Sequence, residues 1–389
     1  MLPIRLTLPL TEHGYLKHAF PADASARLLI AASAARDRLA GLDEKRLTTI
    51  AAVRDALAVA EAYRDAWTAF FHQSAHGPVQ EVPTVLWSGF AWRTSPSLEG
   101  PCHKRDGTHR LLTHCPHVEA TMVAWTVCEL RFALAYHAAS LVARSSEASR
   151  LYARAILDLD AGHWHHQRLC FEVPYRVRAG AAECRTACRR ALLALLSCLA
   201  ERAAPTGCHR WAAERAADAV HHMASAGDHG HSTVARLCWT MRQVAWGDMN
   251  MAVADALLDR VRTEDALIIP SADAKALEMI ELSARAAHLA VLYAAIALRY
   301  APLAVQAAGR DSKLFRELGM RGNEKRVAAA CIRVATNAMD AYDIRQSMVP
   351  AKRQSLTMLA TFRHAVHFQE KVLRLTPAPQ ARPAYAQYL

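Results

Sequence analysis

Glycine and proline are scarce in this chain, 15 and 16 in 389 residues, and aromatic residues make up only 7%. So little punctuation argues against the many short strands and tight turns of an all-β protein. Lysine is scarcer still: eight of the 47 basic residues, at positions 17, 45, 104, 275, 313, 325, 352 and 371, leaving arginine to supply the rest. The net charge of +11 is spread without any block of five or six like charges, which argues against nucleic-acid binding as the main role. No Cys-x-x-Cys pair occurs among the ten cysteines, so neither a disulfide framework nor a standard zinc ribbon is indicated, and a reducing compartment is expected. The longest apolar run, "AAHLAVLYAAIAL" at 286–298, falls short of the ~20 residues that a membrane-spanning helix needs. The amino terminus fits neither a secretory signal nor a transit peptide, and the expectation is a cytoplasmic protein.

What the chain does have is alanine, leucine and helical periodicity. Hydrophobic residues reach 52% against 21% charged, enough for a large core. The spacing predicts helices over 22–40, 43–72, 118–144, 147–170, 181–203, 208–225, 231–259, 273–308, 311–345 and 352–374. Ser146 is the expected cap of the helix at 147–170, with Glu147 in its first turn. The helix 118–144 is apolar on two faces: Val127, Leu130, Leu134, Ala138 and Leu141 on one, Phe132, Tyr136 and Ala139 on the other. It needs two neighbours. β structure is confined to alternation at 3–10, ended by Pro9, and a segment at 82–94; residues 95–110 read as a loop. The expected fold is all-α, an elongated irregular helical solenoid with a small β element near the amino terminus, in one domain: 1–110 with the β segment, 111–345 as the central solenoid, 346–389 as a last helix and tail.

"CHKRDGTHRLLTHCPH" at 102–117 gathers Cys102, His103, His109, His114, Cys115 and His117, but its spacing matches no standard zinc site. "GHWHH" at 162–166 and "HHMASAGDHGH" at 221–231 place neighbouring histidines on different sides of a helix. No nucleophile elbow, phosphate loop, dinucleotide fingerprint or His-Glu-x-x-His is present. Neither an enzyme nor a metal or other cofactor is expected. Trp239 and Trp246 share a face and read as core, as do His288 and Tyr293 with satisfied polar tips.

The order of blocks resembles the Bro-one domain family, the helical domain of ALIX-like endosomal sorting adaptors. The resemblance runs over nearly the whole chain. It rests on the Pro-Ile strand, Phe90-Ala-Trp92, Glu129 leading into "AYHAASL", "LSCLAERAAPTG" at 196–207, "RWAAERAADA" at 210–219 with Asp218 for the family's Glu, "TVARL" at 233–237, "RAAHLAVLYAAIA" at 285–297 and "GRDSKLFREL" at 309–318. It departs from the family at His137, where Asn is usual, and in the missing glutamines of 210–219. The resemblance implies a non-enzymatic adaptor whose groove receives an amphipathic helix of an ESCRT-III subunit. Partner-binding positions carried over are Val220 for the aromatic anchor, Thr233 and Leu237 for two apolar contacts, and Arg150 for the basic contact. It further implies a cytoplasmic protein found peripherally on endosomes, with membrane contact only through its partner or weak surface electrostatics. The chain ends "AQYL", without a prenylation cysteine, and reads as the domain alone. Two other readings stand beside this one: a scaffold subunit whose groove has decayed, and a metal-dependent enzyme using the 102–117 cluster.

Overall fold

The computed structural model describes residues 6–9, 26–73, 90–94, 109–113, 116–142, 144–172, 181–229 and 232–265, with single positions between 289 and 307 and at 387–388. Among these residues the fold is all-α. The helices are α1 (Ala26–Ala40), α2 (Ile50–Gln73), α3 (Pro116–Leu141), α4 (Ser146–Glu172), α5 (Ala181–Ala203), α6 (His209–Ser225) and α7 (Thr233–Asp265). The strands are β1 (Leu8–Pro9), β2 (Phe90–Thr94) and β3 (His109–Thr113), and a 3-10 turn lies at Glu44–Arg46. The expected helices at 311–345 and 352–374, and most of 273–308, lie outside the described residues, as does His288.

The strands form one antiparallel sheet in the order β1-β2-β3. Pro9 pairs with Trp92 and Phe90 with Thr113. Pro9 therefore lies within the strand that it was expected to end, a position that suits an edge, where a missing N–H breaks no ladder. β3 also corrects the expected loop at 95–110. Five residues that begin with His109 and Arg110, inside a Cys/His-rich stretch, give too short an alternation to stand out.

Local chemistry explains the helix starts. Thr49 Oγ1 accepts from Ala52 N at 3.2 Å at the head of α2, and Ser232 Oγ accepts from Ala235 N at 3.0 Å at the head of α7. At α4 the cap is Ser145, whose Oγ accepts from Ala148 N at 3.3 Å; the expected cap, Ser146, is the first helical residue instead. Pro116 opens α3, where its missing N–H costs nothing.

Two compact units make up the chain: Met1–Gly207 with Ala217–Cys238 and Ala384–Leu389, and Cys208–Ala216 with Trp239–Pro383. In the first, successive helices pack on one another from α1 to α5, most extensively α3 on α4. Every residue from Glu119 to Tyr136 of α3 is buried. A helix apolar all round must be sheathed, and α2, α4 and the β1 segment do this. A Cβ on Gly162 would stand 3.1 Å from the Ala124 Cβ, so glycine lets α4 approach α3 closely. Phe132 stacks on Tyr136 and tilts against Tyr152, with centroids 5.9 Å apart in both pairs.

In the second unit, Met241, Ala245, Met249 and Val253 recur every fourth residue along α7 as buried positions. Trp239 and Trp246 are only half-buried, not full core, and Arg242 lies 5.7 Å over the Trp239 ring. Tyr293 is buried, but its hydroxyl meets no hydrogen-bond partner among the described residues, contrary to the satisfied tip expected of it. Burial pushes that hydroxyl up to about 12.

Candidate functional site

The most elaborate polar arrangement is internal. Glu119 of α3 receives Arg36 Nε (3.1 Å) and Tyr63 Oη (2.7 Å) on Oε1, and Trp92 Nε1 on Oε2. One carboxylate thus joins α1, α2, α3 and β2. Burial lifts the Glu119 carboxyl above the usual carboxylate range, against the pull of Arg36, Tyr63 and Trp92. Burial also drives the Tyr63 hydroxyl well up, with Glu119 adding to it. Arg36 is pulled down by burial, but Glu119 and Tyr63 outweigh this and leave it raised.

Nearly three turns further along α3, Glu129 holds the amino-terminal segment. Thr7 donates from its backbone N to Oε2 at 2.6 Å and from Oγ1 to Oε1 at 3.2 Å. Thr126 Oγ1 returns a bond to Thr7 O at 2.6 Å, and Leu6 N donates to Glu44 Oε1 at 3.1 Å. A buried carboxylate with this many donors is a fastening. Glu119 is fully covered by protein, so its chemistry is structural and no substrate reaches it.

The surface facing outward is built on the α3–α4 turn. Ser145 N donates to Ala203 O at 2.8 Å, Arg144 Nη1 to Pro205 O at 2.9 Å, and Ser149 Oγ to Ala200 O at 2.9 Å. These three bonds tie the head of α4 to the last turn of α5 and the turn that follows it, where a cation is also favoured. The turn after α5 depends on Gly207: a Cβ there would lie 1.8 Å from Glu201 O. Held by this staple, α4 exposes Glu147, Arg150, Arg154, Leu157 and Ala161 at alternating spacings of three and four, a single line along the helix. Neither Arg150 nor Arg154 has a hydrogen bond or ion pair among the described residues. Leu157 is 44% exposed, and Leu141 and Val142, where α3 ends, are 73% and 55% exposed. Leu141, expected to continue a buried stripe, thus leaves it and enters solvent.

The four expected contact residues divide. Arg150 stands on that outer line. Val220 on α6 is 6% exposed and Leu237 on α7 is 1% exposed. Thr233 is the first residue of α7, and its side chain lies outside the described residues. No described contact joins Arg150 to Val220 or Leu237. The signal missed in the sequence was the spacing of Arg150, Arg154 and Leu157, readable as a helix line of two cations and a leucine.

The side chains of the 102–117 cluster and of His163, His165 and His166 lie outside the described residues. Among the described residues no group of three or more His, Cys, Asp or Glu could hold a metal ion, and no helix is long and apolar enough to cross a membrane. Cys128 and Cys238 are buried, and burial drives both thiols well up. Compared with known proteins, the chain matches no family model, no curated protein and no solved structure.

Proposed function

We propose that this chain is a non-enzymatic adaptor, an elongated irregular helical solenoid of Bro-one type, which binds an amphipathic helix with an acidic face. The partner suggested by the resemblance is the carboxy-terminal helix of an ESCRT-III subunit, in endosomal sorting or membrane remodelling, with the adaptor cytoplasmic and peripheral on endosomes. The observation that carries this reading is the outer line of α4: two arginines without partners among the described residues, followed one turn later by an exposed leucine. A helix laid along it would set carboxylates against Arg150 and Arg154 and an apolar side chain against Leu157.

The bonds from Arg144, Ser145 and Ser149, just before Arg150, favour a preformed surface there, which reduces the ordering cost of binding. A synthetic helix with an acidic face and leucines at i, i+4 and i+7 is the probe, titrated against the full chain by calorimetry. Arg150→Glu should weaken it by about tenfold, equivalent to ~1.4 kcal/mol.

The second reading, a scaffold subunit with a decayed groove, draws on the burial of Val220 and Leu237. Anchors that are covered by their own chain offer a partner no area. Under that reading the full chain binds no such helix at all.

A further inference from the structure

We propose that Glu61, Arg64, Arg131 and Asp158 form a proton-operated clamp that fastens α2 to the α3–α4 pair and closes more firmly as the medium is acidified. The groups make an alternating chain of charge. Arg131 of α3 pairs with Glu61 of α2 and, through Nη1 at 2.8 Å, with Asp158 Oδ2 of α4. Arg64 of α2 pairs with Asp158 Oδ1 at 3.0 Å and with Asp65 at 3.0 Å. Three carboxylates thus share two guanidinium groups, and the middle one is the most deeply placed. Glu61 is partly open to solvent and Asp65 is exposed, whereas Asp158 and Arg131 are buried.

A surplus negative charge is least tolerable where water is excluded. Asp158 is that place. Its Oδ2 accepts no aligned hydrogen bond despite the close ion pair, so a proton there displaces none. The groups facing Asp158 are Arg131 and Cys128 from α3 and Arg64 and Glu61 from α2; on the α5 side, Arg189 engages Asp160 instead. Burial pushes Asp158 up to about 6, with Glu61 adding to it and Arg131 and Arg64 opposing.

When the clamp opens, Asp158 enters water and returns to the ordinary aspartate value of ~3.9. Below that value both states hold the proton, and the closed state has its full advantage. Between it and about 6 only the closed state holds the proton, and as pH rises through this window the advantage is lost. Linkage makes the change in the opening constant roughly a hundredfold.

Amide hydrogen exchange on the full chain from pH 4 to 7.5, corrected for the intrinsic pH dependence of exchange, reads the opening constant of α2 and α4. The wild type should open about a hundredfold more readily at the alkaline end. Asp158→Asn should greatly reduce that rise, leaving only the share that the raised Glu119 carboxyl contributes. Glu61→Gln should move the midpoint of the rise to lower pH, and Arg64→Gln should move it to higher pH. If Asp158→Asn does not fold, these two midpoints decide. A wild-type opening constant flat over this range, a rise undiminished in Asp158→Asn, or midpoints that stay fixed would overturn the clamp.

Discussion

Replacing Glu119 with Ala removes an acceptor that three buried donors share. Arg36, Tyr63 and Trp92 all converge on its two oxygens, and the carboxylate is fully covered. Breaking a buried ion pair from one side costs about 3–5 kcal/mol, because the remaining charge is left uncompensated. Each stranded neutral donor adds about 1–3 kcal/mol. These terms share one site and do not add, so the expected loss is about 5 kcal/mol, comparable with the whole stability of many domains. Urea unfolding of the full chain, followed by far-ultraviolet circular dichroism, measures it. A double-mutant cycle with Arg36→Met isolates the ionic part: with the cation gone, Glu119→Ala should cost at least ~2 kcal/mol less than in the wild-type background. A Glu119→Ala loss under about 1 kcal/mol, or no coupling to Arg36, would refute the hub that ties α1, α2, α3 and β2 together.

Other outcomes follow from particular contacts. Gly207→Ala should lower stability by at least about 2 kcal/mol in the same assay, since its Cβ overlaps Glu201 O. Leu237→Ala should cost about 2–5 kcal/mol, as a core truncation does, whereas Leu157→Ala, at an exposed position, should stay within ~0.5 kcal/mol. Glu129→Gln should raise amide exchange at Thr7 by at least about tenfold, because a charged acceptor is lost from two bonds. Cys128 and Cys238 should resist an aromatic disulfide reagent until the chain is unfolded, because burial denies both the thiolate and the approach.

The helical class could be read from residue usage, because sparse glycine and proline leave alanine and leucine to set the local preference. The sheathing of α3 was readable too: with apolar residues on two faces, it had to be covered on both. The buried acids of α3 and α4 were not. Glu119, Glu129 and Asp158 have the spacing of ordinary helix-surface charges, and their partners Arg36, Thr7 and Arg64 are 83, 122 and 94 residues away. Periodicity carries no information about such pairings. The cap at α4 slipped by one residue because Ser145 and Ser146 are chemically the same, and only backbone geometry chooses between them.

At the candidate site, a family pattern and a surface pattern separated. Arg150 is accessible, while Val220 and Leu237 have the apolar character of anchors and equally that of core. Sequence cannot tell an anchor from a core residue, since both bury the same kind of area. Arg154 and Leu157 gained meaning only once α4 was seen to turn that line outward.

The most direct test is the affinity of the full chain for a synthetic amphipathic helix with an acidic face, set beside that of Arg150→Glu and Leu157→Asp, with circular dichroism confirming that both variants keep the parental helix content. Saturable binding by the parent, weakened about tenfold or more in each variant, is the predicted result. No binding by the parent, or equal binding by all three proteins, would contradict an adaptor that works through the outer line of α4.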